Sequence, residues 1–359
     1  MKIIYLAGVR LPTKNAHGFQ IVKMCSSFSR LGHQVILLIP WRKNLLNEDP
    51  FDFYRLPKNF RILKLPAIDL YPFRFLPEIF SSTVHLLSFF VSARFYLWFN
   101  SYELLYTRER LAGFFFKNFV AEIHAPEQMN LWGFNPKRLV VITHYIKNEL
   151  VSRGIKNENI FVAPDAFDPE IFFPLDQVRA RQFLSLNLTK PMVVYCGNFK
   201  VWKGVDVLAE VVPLLPQVVF YLIGATKDSD LLRIREKLLP YSNAVVEGFK
   251  PQELIPKYLA SADILVLPNT AKDENSCRYT SPLKLFEYMA MDRPIVASAL
   301  PSLKEILNYS NAIFFEPDNP LSLSSAIKKV LSDPEKFRLV AHQSWLDGQK
   351  YTWDNRARE

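Results

Sequence analysis

Cysteine is scarce in this 359-residue chain. There are three, Cys25, Cys196 and Cys277, far apart and with no C-x-x-C pair. That spacing excludes a disulfide framework and a zinc knuckle, and it fits a reducing compartment. Glycine is also scarce, 11 residues against 25 prolines, and no segment repeats at a fixed period. Glycine-rich and solenoid architectures are thereby excluded. The apolar start, MKIIYLAG, is too short for a signal peptide and reads as a buried strand. What the chain has in plenty is phenylalanine, 29 residues, within a composition that is 49% hydrophobic and 22% charged. Such a chain folds rather than staying disordered, and its length suits two domains. The net charge of +9 points to nucleic acid, an anionic membrane face or phosphorylated small molecules. With no RNP motif or helix-turn-helix in the sequence, nucleic acid is set aside as a partner.

Strand and helix patterns alternate along both halves. Lys2 to Ala7 reads as a strand, Gly8 to Gly18 as a loop, Phe19 to Leu31 as a helix and Gln34 to Ile39 as a strand. This is the βαβ unit of a doubly wound domain. Gly18, just before the helix, would let a ligand approach the helix end. Residues 79–99 form the most hydrophobic window, interrupted by His85 and Arg94. We expect a buried or membrane-facing helix of the first domain, simple burial favoured, with an interfacial membrane anchor as the alternative and a true span as the weakest reading. Pro164 to Leu175, with three prolines and no period, reads as the linker. The alternation restarts at Met192 to Cys196 and continues to Asp263–Leu267. The expected fold is α/β, two Rossmann-like doubly wound domains facing a central cleft, where ligands bind in this architecture.

The stretch from Cys277 to Ser298, CRYTSPLKLFEYMAMDRPIVAS, reads as loop, helix and strand. Ser281 suits an N-cap and Pro282 the first helical position. Leu283 to Met291 has helical spacing, and Asp292-Arg293-Pro294 ends it. A helix start of this kind offers free amides to a phosphate, with Lys284 adding charge. Glu287, a turn further on, can accept hydrogen bonds from a diol. Amides for a phosphate beside a carboxylate for a ribose suit a nucleotide sugar; an ordinary amphipathic helix with a good cap is the plainer reading.

These stretches resemble the retaining GT-B glycosyltransferases of the family-four (group 1) type. The resemblance runs through PTKNAHGFQIVKMCSSFSRLGHQV, YTRER, EIHAP, VITHYIKNELVSRGIKNENIFVAPDAFDPEIF, YCGNFKVWKGVDVL, GFKPQELIPKYLASADILVLPN and SPLKLFEYMAMDRPIVAS, and it ends with YTWDNRARE. It implies domains at 1–168 (acceptor side) and 169–345 (nucleotide sugar), with residues 346–359 returning to the first. It implies that Lys203 grips the donor diphosphate and that Glu287 holds the ribose. The amides of Leu283 and Lys284 would meet phosphate or sugar, beside Ser281 and Pro282. Gly18 would pack against the donor phosphates, His124 would lie beside the donor sugar, and Gly248 and Phe249 would flank the base. His124 and Lys203 are the catalytic candidates.

The chain departs from the family pattern in places. Tyr279 stands where the first Glu of E-x7-E belongs. Asn198 replaces the usual arginine, with Lys200 nearby to supply charge. Asp292 replaces a glycine. Asp228-Ser229-Asp230 is formally a D-x-D, but it opens a helix, and no metal ion or other cofactor is expected. The resemblance therefore implies a UDP-, GDP- or ADP-sugar donor and a glycan or lipid-linked acceptor. The expected place is the cytoplasm, with peripheral contact at an anionic inner membrane face as the further alternative. A catalytically silent, nucleotide-binding relative that acts through partner proteins is the competing reading, motivated by Tyr279 and Asn198.

Overall fold

The computed structural model describes residues 1–71, 73, 75–126, 128, 136–225 and 227–359. The chain divides into two compact units, Met1–Pro164 with Trp353–Glu359, and Asp165–Thr352.

The first unit is built on seven parallel strands: β1 (Lys2–Leu6), β2 (Gln34–Pro40), β3 (Arg61–Leu65), β4 (Leu104–Thr107), β5 (Phe119–Ile123), β6 (Arg138–Val141) and β7 (Ile160–Val162). Their order is β3-β2-β1-β4-β5-β6-β7. Ile3 to Leu6, Val35 to Ile39 and Leu105 to Tyr106 are buried on both faces, as central parallel strands are. The sheet reverses direction between β1 and β4, and both strands end at the same rim, Leu6 opposite Thr107. Helix α1 (Ala16–Arg30) packs over β2 and also against the last helix of the chain, Trp353–Arg358. Between them come a short helix, α2 (Pro50–Tyr54), and a long one, α3 (Glu78–Phe99). α3 buries Ser81, His85, Phe89, Phe90, Ala93 and Leu97. Its other face leaves Val91, Phe95 and Trp98 exposed at 60, 65 and 81%, and Ile79 is exposed at the helix start. Burial, the favoured expectation for this window, therefore accounts for one face only. Among the described residues no helix is long and apolar enough to cross a membrane. Helix α4 (His144–Ser152) is capped by Thr143, whose side chain accepts from the Ile146 N–H.

The second unit opens with α5 (Gln177–Phe183) and carries six parallel strands: β8 (Met192–Cys196), β9 (Val219–Ala225), β10 (Ala244–Gly248), β11 (Ile264–Leu267), β12 (Ile295–Ser298) and β13 (Ile313–Phe315). The order β10-β9-β8-β11-β12-β13 is again doubly wound. Its reversal falls between β8 and β11. The helices between strands are α6 (Val205–Val211), α7 (Asp228–Leu238), α8 (Ile255–Ser261), α9 (Leu283–Met289) and α10 (Pro301–Lys304), closed by α11 (Pro320–Ser332) and α12 (Pro334–Gly348). The chain then returns to the first unit as α13 (Trp353–Arg358). Asp292, in the family's glycine position, adopts the left-handed backbone at φ +54°, so it takes the conformation a glycine would take there. Asp228 and Asp230 both lie in the first turn of α7, where carboxylates favour a helix start.

Candidate functional site

In each unit several of the functional candidates follow the central strands near the point where the strand order reverses, while Gly248 and Phe249 lie at the edge strand β10 and Gly18 within α1. A doubly wound sheet leaves its crevice at that reversal.

In the second unit, β8 ends at Cys196 and the chain turns through Gly197 to Gly204. The Tyr195 hydroxyl donates to the Asn198 carbonyl (2.8 Å), and the Asn198 side chain accepts from the Lys200 N–H (3.1 Å). Asn198 thus shapes the loop. Gly204 follows at φ +73°, and a Cβ there would run into the Pro268 carbonyl at the end of β11. Only glycine fits that crossing. The turn carries Lys203, whose ammonium sits 3.7 Å from the Trp202 ring centroid. Burial lowers its pKa to about 7, with Lys200 acting in the same direction and Asp165 and Asp273 against it.

Helix α9 supplies the facing groups. Ser281 does not cap it: the helix starts at Leu283 after Pro282, with no side-chain cap. The Ser281 hydroxyl instead accepts the Asp165 N–H at 2.9 Å, tying the linker to this loop. The residues before it, Asn275–Tyr279, form one π-helical turn rather than plain loop. Lys284 is buried, its Nζ donating to the Tyr195 hydroxyl (3.0 Å). Burial and Lys203 push its pKa well below the usual lysine range. Glu287 lies behind it; burial raises its carboxyl to about 7, with Asp165 adding to the rise and Lys284 opposing it. Lys203, Lys284, Glu287 and Asp165 are thus electrostatically coupled in one cluster. Gly248 and Phe249 end β10, two strands from β8. Phe249 is largely exposed, and Lys250 pairs with Glu247.

In the first unit, Gly18 lies inside α1 rather than before it. A Cβ there would meet Thr13 and the Tyr54 hydroxyl (2.6 Å). The glycine therefore allows the 11–15 loop to pack on the helix, so loop packing is a sufficient reason for it. His124 follows β5 and is half-buried. Its Nε2 is 3.0 Å from Glu122 Oε1, and Arg108 Nη2 approaches the same ring, 2.9 Å from Nδ1. Burial and the Arg108 charge lower its pKa to about 4, so the ring is neutral at pH 7. Glu122 was not among the sequence candidates, yet it is the hub. It accepts from the Tyr106 hydroxyl (2.6 Å) and from Arg356 Nη2 (2.9 Å). Burial alone would raise its pKa, but Arg356 and Arg108 hold it well below the usual carboxylate range. The segments YTRER and EIHAP carried these residues, but nothing in their spacing shows that they meet.

The family model for Glycosyl transferases group 1 matches residues 190–333. Residues 190–333 thus carry a group 1 glycosyltransferase domain. An alpha-galactosylglucosyldiacylglycerol synthase from Streptococcus pneumoniae is 27% identical over 233 residues, covering 59% of this chain and 60% of that protein. The chain's match spans about three fifths of the length of its first curated relatives. Among solved structures, a sucrose-phosphate synthase from Thermosynechococcus elongatus superposes with a TM-score of 0.80 at 19% identity, covering 100% of this chain and 97% of that one. HepE of Anabaena, in complex with UDP-glucose, gives 0.75 at 16% identity, covering 100% and 97%. At these identities the likeness is one of fold, the GT-B pairing of two Rossmann-like domains.

Proposed function

We propose that this group 1 glycosyltransferase is a retaining, metal-independent enzyme. It moves a sugar from a nucleoside-diphosphate sugar to a hydroxyl of a glycan or lipid-linked acceptor, in cell-surface polysaccharide or glycolipid synthesis. The observation that carries this reading is the cluster near the β8–β11 reversal, where Lys203, Lys284, Glu287 and Asp165 are electrostatically coupled. A departing diphosphate needs positive charge, and Lys203 supplies it without a metal ion. Glu287 takes the ribose hydroxyls. The sugar C1–phosphate bond breaks, the acceptor oxygen bonds to C1 on the same face, and its proton passes to the departing phosphate oxygen. His124, neutral and with its ring nitrogens held by Glu122 and Arg108, lies beside the sugar without supplying a proton. Tyr279, in place of the first Glu, leaves the sugar end of the site differently equipped from the family pattern.

The protein works in this reading in the cytoplasm, with the exposed face of α3 resting on an anionic membrane surface. The S. pneumoniae relative, named as a diacylglycerol glycolipid synthase, is in keeping with an acceptor held near lipid.

A thermal-shift panel of UDP, GDP, ADP and their sugars tests the donor assignment, since a ligand raises the melting point with the logarithm of its saturation. One nucleotide series should stabilise the wild type, and Lys203→Ala should weaken that series at least about tenfold, equal to roughly 1.4 kcal/mol. Glu287→Ala should weaken it too. If no nucleotide shifts the melting point, the donor reading fails. Nucleotide binding without donor hydrolysis or transfer would favour the silent, partner-binding relative.

A further inference from the structure

The first unit contains a cavity of about 540 Å³ at the rim where β1, β2, β4 and β5 end. Among its described lining residues, three guanidinium groups, Arg10, Arg42 and Arg108, stand against one carboxylate, Glu109. Glu109 accepts the Gly8 N–H at 2.7 Å. Burial raises its pKa, against the Gly8 hydrogen bond and the Arg108 and Arg110 charges, which lower it. Arg108 is committed to Glu122 and to Gln20. Arg10 and Arg42 are held more lightly. Arg10 donates to the Lys43 carbonyl at 3.2 Å. The Arg42 guanidinium carbon stands 3.4 Å from the Tyr71 ring centroid, with Asp69 at the edge of ion-pair range, 3.9 Å. Stacking of this kind orients a guanidinium while leaving its in-plane donors able to take a forked anion. The two histidines of the lining answer to the same field: burial lowers both His17 and His124, and Arg108 lowers each further.

The lining also lacks something. In a chain with 29 phenylalanines, no Phe, Tyr or Trp is among its described residues, so there is no platform for the apolar face of a neutral sugar. Asn15 offers an amide for a hydroxyl. We propose that the acceptor carries an anionic group, a phosphate or a carboxylate, and that Arg10 and Arg42 grip it in this cavity. The proposal rests on the glycosyltransferase reading above, since it assigns the first unit's cavity to that reaction's acceptor.

The test is calorimetric titration of the full chain with three matched probes: glucose 6-phosphate, glucuronate and glucose. The anionic sugars should bind at least about tenfold more tightly than glucose. Arg10→Gln with Arg42→Gln should erase that preference, while the melting point and the affinity for the nucleotide found in the panel stay as in the wild type. Preference for glucose 6-phosphate over glucuronate would name the phosphate as the group, and the reverse the carboxylate. Glucose binding as tightly as its phosphate overturns the proposal, as does a double variant with unchanged sugar-phosphate affinity. Loss of nucleotide affinity in that variant also overturns it, because the arginines would then serve the donor diphosphate. The two readings fail separately. Anion binding through Arg42 with no nucleotide binding removes the transferase reading and leaves an anion site. Nucleotide binding with no anion preference keeps the transferase reading and removes this one.

Discussion

Lys203 and Glu287 reach the same pH from opposite sides. Burial brings the lysine down to about 7 and the carboxyl up to about 7. The lysine is charged below that pH and the carboxylate above it, so a ligand that needs both charges meets the best site near neutrality. Affinity for the intact nucleotide sugar, whose diphosphate does not titrate there, should peak near pH 7 and fall on both sides. In Glu287→Gln only the lysine limb should remain, with affinity falling as pH rises through 7. In Lys203→Met only the other limb should remain, with affinity rising. Calorimetry across pH 6 to 9 reads this directly, and a flat wild-type profile would contradict it. Both residues could be named as candidates from sequence because each sits in a short motif with a local reason to be there. Glu122 could not. Its partners Tyr106, Arg108 and Arg356 lie 16, 14 and 234 positions away, and only the folded sheet brings them to one carboxylate. Ser281 misled for a related reason. Local spacing made it a cap, while its hydroxyl is taken by a backbone amide 116 residues earlier in the chain.

Among the elements, the strands were the most legible, because a parallel strand buried on both faces writes a continuous apolar run such as Met192–Cys196. The turns between strand and helix were less so, since their geometry depends on what crosses them. Gly204 and Gly248 make the contrast testable. Gly204→Ala places a Cβ against the Pro268 carbonyl at a backbone angle that favours glycine. It should cost at least about 2 kcal/mol and shift the denaturant midpoint accordingly. Gly248→Ala meets Leu231 Cδ2 at 3.5 Å and the Ala225 carbonyl oxygen at 3.9 Å, both ordinary contacts, so its midpoint should match the wild type. If the base lies beside Gly248, this second variant loses nucleotide affinity without losing stability, which separates a contact with ligand from a role in the fold.

At the scale of the molecule the charge is divided unequally. The first unit holds 23 lysines and arginines against 13 acids, a net +10, while the second holds 21 against 22, a net −1. The basic unit is also the one that exposes Ile79, Phe95 and Trp98 on α3. Apolar anchors on a cationic body suit an anionic bilayer surface, where each nearby lysine or arginine adds about 1 kcal/mol. The protein should co-sediment with phosphatidylglycerol-rich vesicles at low salt and much less with phosphatidylcholine vesicles. Phe95→Ser with Trp98→Ser should reduce that binding about tenfold or more. A protein that stays in the supernatant with both vesicles has no such surface.

The hub at Glu122 carries one more consequence, for the order in which the chain can mature on the ribosome. Arg356, which holds the buried carboxylate, leaves the ribosome only after the roughly 190 residues of the second unit have been made. At usual rates of synthesis that interval is about 10–40 s. Throughout it the nascent first unit must carry Glu122 without one of its two guanidinium partners, and α1 without α13 beside it. The first unit is thus the first to be made and the last to be completed, and the loop bearing His124 acquires its final support only when translation has passed Trp353.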